Sequence, residues 1–193
     1  MQRSRLMALR GLAQAYSSLF RGLPELLTLF IVYYGGQMLL NRLLALVAPG
    51  VAVEIGPFAA GVTALALVFG AYAAEVFAGA MGALPRGQRE AALALGLSPG
   101  LAFRLVELPQ LWRLALPGLA NGWAVLLKDT ALVSTIALAD LMRETQIAVG
   151  ATRQPFTFYL VACLIYVALA LVSSAVADRL QARAERGVRF AGR

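Results

Sequence analysis

Four long apolar runs constrain this chain more than any other feature. They cover about residues 24–48, 57–82, 113–139 and 155–177. A bilayer core of about 30 Å needs about 20 apolar residues per helix, and each run is long enough. Composition agrees: 60% of the residues are hydrophobic and 14% charged, where a soluble domain carries about a quarter charged. The expected fold is all-α, a polytopic helical membrane protein with four transmembrane helices in residues 23–178.

The net charge of +7 would suggest nucleic acid in a soluble domain. Here the arginines sort by loop, so no nucleic-acid partner is expected. Arg3, Arg5, Arg10 and Arg21 precede the first run. Arg86, Arg89, Arg104 and Arg113 lie between the second and third, and Arg179, Arg183, Arg186, Arg189 and Arg193 follow the last. With four spans these regions share a side, while the other side carries Arg42, Arg143 and Arg153. The positive-inside rule of inner-membrane proteins then places both termini and the loop at 86–110 in the cytoplasm. Residues 1–22 read as a cytoplasmic segment and 179–193 as a basic cytoplasmic tail. The first segment lacks the apolar core and small-residue cleavage site of a signal peptide. The chain has no histidine and one cysteine, Cys163, inside an apolar run. That argues against zinc, a histidine triad or a disulfide framework.

The loop at 86–110, "RGQREAALALGLSPGLAFRLVELPQ", is charged and punctuated. Its first half is rich in helix formers, and Gly96 falls where a left-handed cap would stop that helix. Ser98 and Pro99 suit a cap and first turn. A second short helix follows, expected to break at Leu108-Pro109. On residues alone two readings stay open: an amphipathic loop lying on the membrane surface, or an elbow that docks a partner.

The spacing of Glu90, Ala91, Ala92, Gly96, Val106, Leu108 and Pro109 resembles the EAA loop of ATP-binding-cassette importer permeases. "RGLPELLTLFIVYYG", "GAYAAEVFAGAMGALPRGQREAALALGLS", "LPGLANGWAVLLKDTALVS" and "PFTFYLVACLIYVAL" resemble the polar amino acid subfamily, the histidine/glutamine type. The likeness runs from about Arg21 to Arg183. It implies that the loop is a coupling helix set in a groove of a separate ATPase, with Arg89, Glu90, Ala91, Ala92, Gly96, Leu108 and Pro109 as the coupling residues. It implies a pair of ATP-binding subunits, a second permease subunit (identical or paralogous), an extracellular or periplasmic solute-binding protein and an amino-acid or opine substrate. This chain would bind no cofactor; ATP and Mg would be held by the partner. A phosphate-cradling GxxxxGK[ST] run is missing from the sequence, in keeping with that division of labour. Permeases of this subfamily usually have five spans, and the first is not in this sequence. A late start codon, a truncated gene and a functional four-span form are the three explanations.

Ionisable residues inside apolar runs are costly and point to function. Here they are Glu75, Lys128 and Asp129, with Tyr72 as a further candidate for the substrate path. Lys128 and Asp129 are helix neighbours whose side chains diverge by about 100°, so each needs another partner, water or substrate. A structural ion pair remains the competing reading. "GLANG", with Gly118 and Gly122, permits close helix approach. Three rival functions stay open: a permease of the same superfamily for another solute, a membrane-embedded enzyme, and an ion-gradient secondary transporter. The enzyme would need clustered His, Cys or paired carboxylates. The secondary transporter would usually show internal repeats.

Overall fold

The computed structural model describes residues 2–48 and 50–185, and every regular element among them is helical. The arginines at 186, 189 and 193 of the expected tail lie outside the described residues. Helix α1 (Gln2–Gly22) ends just before Pro24, which cannot donate to a helical ladder. Helix α2 (Glu25–Val47) follows and contains a π-helical stretch at Ile31–Gly35. Residues 50–56 are then irregular, and side chains from α2 hold them. Ile55 N–H donates to Gln37 Oε1 at 2.6 Å and Val53 N–H donates to Asn41 Oδ1 at 2.9 Å. Gln37 Nε2 donates in turn to the Val53 carbonyl. Gln37 and Asn41 are four apart, hence on one face of the helix.

Helix α3 (Pro57–Ala83) buries a stripe of small residues, Ala60, Ala64 and Ala71, together with Val68. The chain then forms α4 (Arg86–Ala94), α5 (Pro99–Ala102), a π-helical stretch (Phe103–Glu107), α6 (Leu108–Asp129), a 3₁₀ segment (Thr130–Ile136), α7 (Leu141–Thr152) and α8 (Pro155–Ala184). Among the described residues, three helices are long and apolar enough to cross a membrane: Glu25–Val47, Pro57–Ala83 and Pro155–Ala184. The expected fourfold count is therefore corrected to three. The run at 113–139 fails because α6 mixes Arg113, Asn121 and Lys128 with its leucines and carries Pro117 in its interior. Past Asp129 the backbone tightens into the 3₁₀ segment, and Ala137 at φ 61° ends it. The last apolar helix runs further than expected, through Arg179 and Arg183.

Two local expectations are also corrected. Leu108-Pro109 does not break the helix: Leu108 is helical, at φ −60° and ψ −43°, and α5, the π-helical stretch and α6 follow one another without interruption. A proline ring clashes with the carbonyl four residues back, here Leu105. The widened π-helical turn contains that residue and makes the space. Ser98 precedes α5 without a side-chain cap bond, while Pro99 takes the first turn.

The chain divides into two compact units, residues 2–72 with Val125–Leu169, and Ala73–Ala124 with 170–185. The first has its core at Leu29, Ala60, Ala64, Val133 and Ile136, with Phe30, Tyr33 and Leu132 around it. Gly61 lets the 3₁₀ segment approach α3: a Cβ there would stand 3.2 Å from Val133 Cγ1. The second is centred on Ala80, Leu111 and Ala115, flanked by Val76, Phe77 and Leu119. Phe77 stacks on Trp112 with centroids 6.3 Å apart. A Cβ on Gly118 would stand 2.8 Å from Val76 Cγ1, so at least the first glycine of "GLANG" marks a close approach.

Candidate functional site

The elbow at 86–110 belongs wholly to the second unit. Pro85 is extended (φ −63°, ψ 125°) and starts α4. At the other end Leu97 N–H donates to Ala92 O and Gly96 N–H to Leu93 O, at 3.2 and 3.0 Å. With Gly96 at φ 84°, this is the paired bonding of a Schellman cap, which satisfies carbonyls that would otherwise be left over. The turn folds α4 back against the Phe103–Glu107 stretch. Ala92 and Ala102, one on each arm, are buried.

The expected coupling residues divide by direction. Ala92 packs inward, while Glu90, Ala91 and Gly96 are exposed. Leu108 and Pro109 are exposed as well, at the point where the second arm becomes α6. Arg89 reaches across the elbow: its NH1 lies 3.9 Å from Glu107 Oε1, with Arg89 56% and Glu107 16% exposed. One turn on, Gln110 Nε2 donates to Val106 O at 2.9 Å and approaches Gln88 Oε1 at 3.5 Å. These groups and Met81, Leu84 and Glu90 line a cleft of about 320 Å³. Glu107 and Gln110 were not singled out from the sequence. No local spacing joins residues 88–89 to 107–110; only the closed turn at Gly96 brings them together.

The membrane charges do not form one described group. Lys128 and Asp129 end α6 in the first unit. Asp129 is half-buried and within electrostatic reach of Glu25 as well as Lys128. Glu25 was not anticipated; it follows Pro24 in the first turn of α2. Nearby in sequence, the Thr28 hydroxyl is buried without a hydrogen-bond partner in the structure. Tyr72 sits under the Arg21 guanidinium, 5.8 Å from its ring centre, an arrangement of cation–π type. Glu75 lies three residues beyond Tyr72 on α3, exposed, in the second unit. A separate apolar pocket of about 350 Å³ in the first unit is lined by Phe58, Val62, Leu65, Val133, Tyr166 and Leu169. Asp140 at its edge caps α7 by accepting the Arg143 N–H at 2.8 Å. Among the described residues there is no group of three or more His, Cys, Asp or Glu placed to hold a metal ion.

A family model described as "Binding-protein-dependent transport system inner membrane component" matches residues 2–189. The chain belongs to that family. The permease is 45% identical to the arginine ABC transporter permease protein ArtQ of Haemophilus influenzae, over 90% of this chain and 78% of that protein. It is 44% identical to the nopaline transport system permease protein NocQ of Agrobacterium fabrum, over 96% and 79%. It is 40% identical to the histidine/lysine/arginine/ornithine transport system permease protein HisQ of Escherichia coli, over 92% and 78%. Among solved structures it is similar to an amino acid ABC transporter crystallised with histidines, with a TM-score of 0.78 and 33% identity, covering 95% of this chain and 80% of that one. The permease is the membrane component of an ABC importer, and a separate subunit hydrolyses the ATP.

Proposed function

We propose that the permease carries basic or other polar amino acids, or opines, across the bacterial inner membrane, and that α4 is the surface on which its ATPase docks. Similar permeases are named for arginine, for nopaline and for histidine, lysine, arginine and ornithine. The observation that carries the docking role is the elbow. Its short helix is closed by a Schellman turn and turns Glu90 and Ala91 outward while Ala92 anchors it. An exposed carboxylate on a fixed helix suits charge-assisted contact with a partner groove.

The assembly that fits this role pairs the chain with a second permease, identical or paralogous. Two ATP-binding subunits hold the nucleotide and Mg, and a solute-binding protein delivers the substrate. Nucleotide binding biases an equilibrium between inward- and outward-facing states, and the elbow passes that bias to the spans. Asp129, with Glu25 near it, is the carboxylate we assign to the substrate path. Lys128, Tyr72 and Glu75 are secondary candidates. With three spans the N-terminal segment and the elbow still share a side, and their arginine bias supports a cytoplasmic place for both. Accessibility of single cysteines at positions 15, 95 and 183 reads that orientation directly.

The test is co-purification of the tagged permease from its native membrane, followed by reconstitution and uptake of labelled arginine. The expected result is an ATPase among the bound chains and uptake that requires ATP. Uptake driven by a proton gradient without ATP would favour the secondary-transporter reading instead.

A further inference from the structure

Resting on the docking role proposed above, we infer that Arg89 acts inward: with Glu107, Gln88 and Gln110 it forms a latch that keeps the coupling elbow closed throughout turnover. The charged residues of α4 would be expected to serve the ATPase surface alone. The geometry divides them. Arg89 and Glu90 are both exposed and both line the cleft, but Glu90 enters no ion pair among those found in the described residues, whereas Arg89 lies 3.9 Å from Glu107 on the opposite arm.

The latch matters because of where its ends fall. The Schellman turn at Gly96 joins α4 to α5 at one end only. At the other end a two-residue link, Leu84 and Pro85, connects it to α3; without a further tie α4 can pivot between those two points. Arg89–Glu107 and Gln88–Gln110 tie the first turn of α4 to the π-helical stretch and to the first turn of α6. The elbow becomes a closed triangle whose third side runs straight into α6. The cleft of about 320 Å³ beside these ties is floored by Met81, Leu84 and Pro85 at the end of α3, and the polar ties with the Ala92 and Ala102 contacts hold the two arms together. An ion pair this exposed contributes little by itself. The latch works through two ties one turn apart, and Glu107 and Gln110 are positioning residues that touch neither substrate nor nucleotide.

The experiment uses the complete transporter, reconstituted with its ATPase, second permease and binding protein, and reads substrate moved per ATP hydrolysed. Arg89→Gln and Glu107→Gln should each lower that ratio about two- to fivefold, the scale of one exposed pair, while the ATPase stays bound in wild-type amount. The swapped pair, Arg89→Glu with Glu107→Arg, should restore the ratio. A wild-type ratio in both single variants overturns the latch. So does loss of ATPase binding in Arg89→Gln with a silent Glu107→Gln, which would place Arg89 at the docking surface. If the swapped pair does not assemble, cysteines at 89 and 107, with Cys163→Ser, are joined by a short bifunctional thiol reagent. Turnover should survive the bridge, and arrest on bridging means the elbow must open and the inference is wrong. If instead the wild-type permease binds no ATPase, the docking role fails, a result distinct from any of these.

Discussion

The Tyr16 hydroxyl donates to the main-chain carbonyl of Leu67 at 2.6 Å, and Arg21 stacks over Tyr72. Both contacts join α1 to a residue 51 positions later, so the end of α1 runs parallel to α3. The fit leaves no slack: a Cβ on Gly70 would stand 2.8 Å from the Tyr16 oxygen. Gly70→Ala should therefore destabilise the protein by about 1–3 kcal/mol through overpacking. Tyr16→Phe should cost about 0.5–1.5 kcal/mol for the lost bond. The double variant should cost less than the sum, because phenylalanine removes the atom that clashes. Thermal unfolding in detergent measures all three, and strict additivity would mean that the two residues do not meet.

Gly96 isolates a backbone effect. Nothing lies within 4 Å of the Cβ position, yet φ is 84°. Gly96→Ala should weaken the elbow by about 1–2 kcal/mol, the cost of the left-handed conformation for a residue with a Cβ. Gly96→Asn should be milder. Faster amide exchange at Leu97, whose N–H closes the cap, is the direct readout. Unchanged exchange in the alanine variant would show that the turn is not held by this glycine.

Glu90→Arg reverses a charge on an exposed position. Folding stability should move by no more than about 0.5 kcal/mol, as for other surface changes. Recovery of the ATPase on the permease should fall sharply, and transport with it. Wild-type uptake in this variant would remove Glu90 from the docking surface.

Asp129→Asn separates a path residue from a structural one. A charge-assisted contact is worth about 1.5–3 kcal/mol, so arginine uptake should fall at least about tenfold relative to glutamine in a competition assay. Equal losses for both substrates, with less complex recovered, would identify Asp129 as a packing group.

The sequence exposed the family through one spaced motif and its flanking segments, and it located the Gly96 cap because only a few residue types accept a left-handed turn. It misjudged α6 for a physical reason. Between Trp112 and Ala139 the leucines are frequent enough to read as a span, but Arg113, Asn121 and Lys128 break the apolar average and the backbone leaves the α-helix at Thr130. The break expected at Pro109 failed for another reason. A proline forbids the ordinary helical turn before it, and the π-helical widening that accommodates it leaves no composition signal. Glu25 within electrostatic reach of Asp129 and Glu107 3.9 Å from Arg89 were invisible because the members of each pair lie far apart in sequence. Such proximity exists only after the turns at Gly96 and along the 3₁₀ segment have closed.

The uninterrupted run from Pro99 toward Pro117 has a mechanical consequence. Its 19 residues rise about 28 Å at 1.5 Å each. A tilt of about 5° imposed at the elbow corner then displaces the far tip by roughly 2.5 Å, enough to trade one side-chain contact for its neighbour. Pro117 stands at that tip as a built-in joint, since a mid-helix proline deletes one ladder bond. Amplification on one side of a hinge and compliance on the other let α6 take up a small stroke at its near end without moving as one rigid rod.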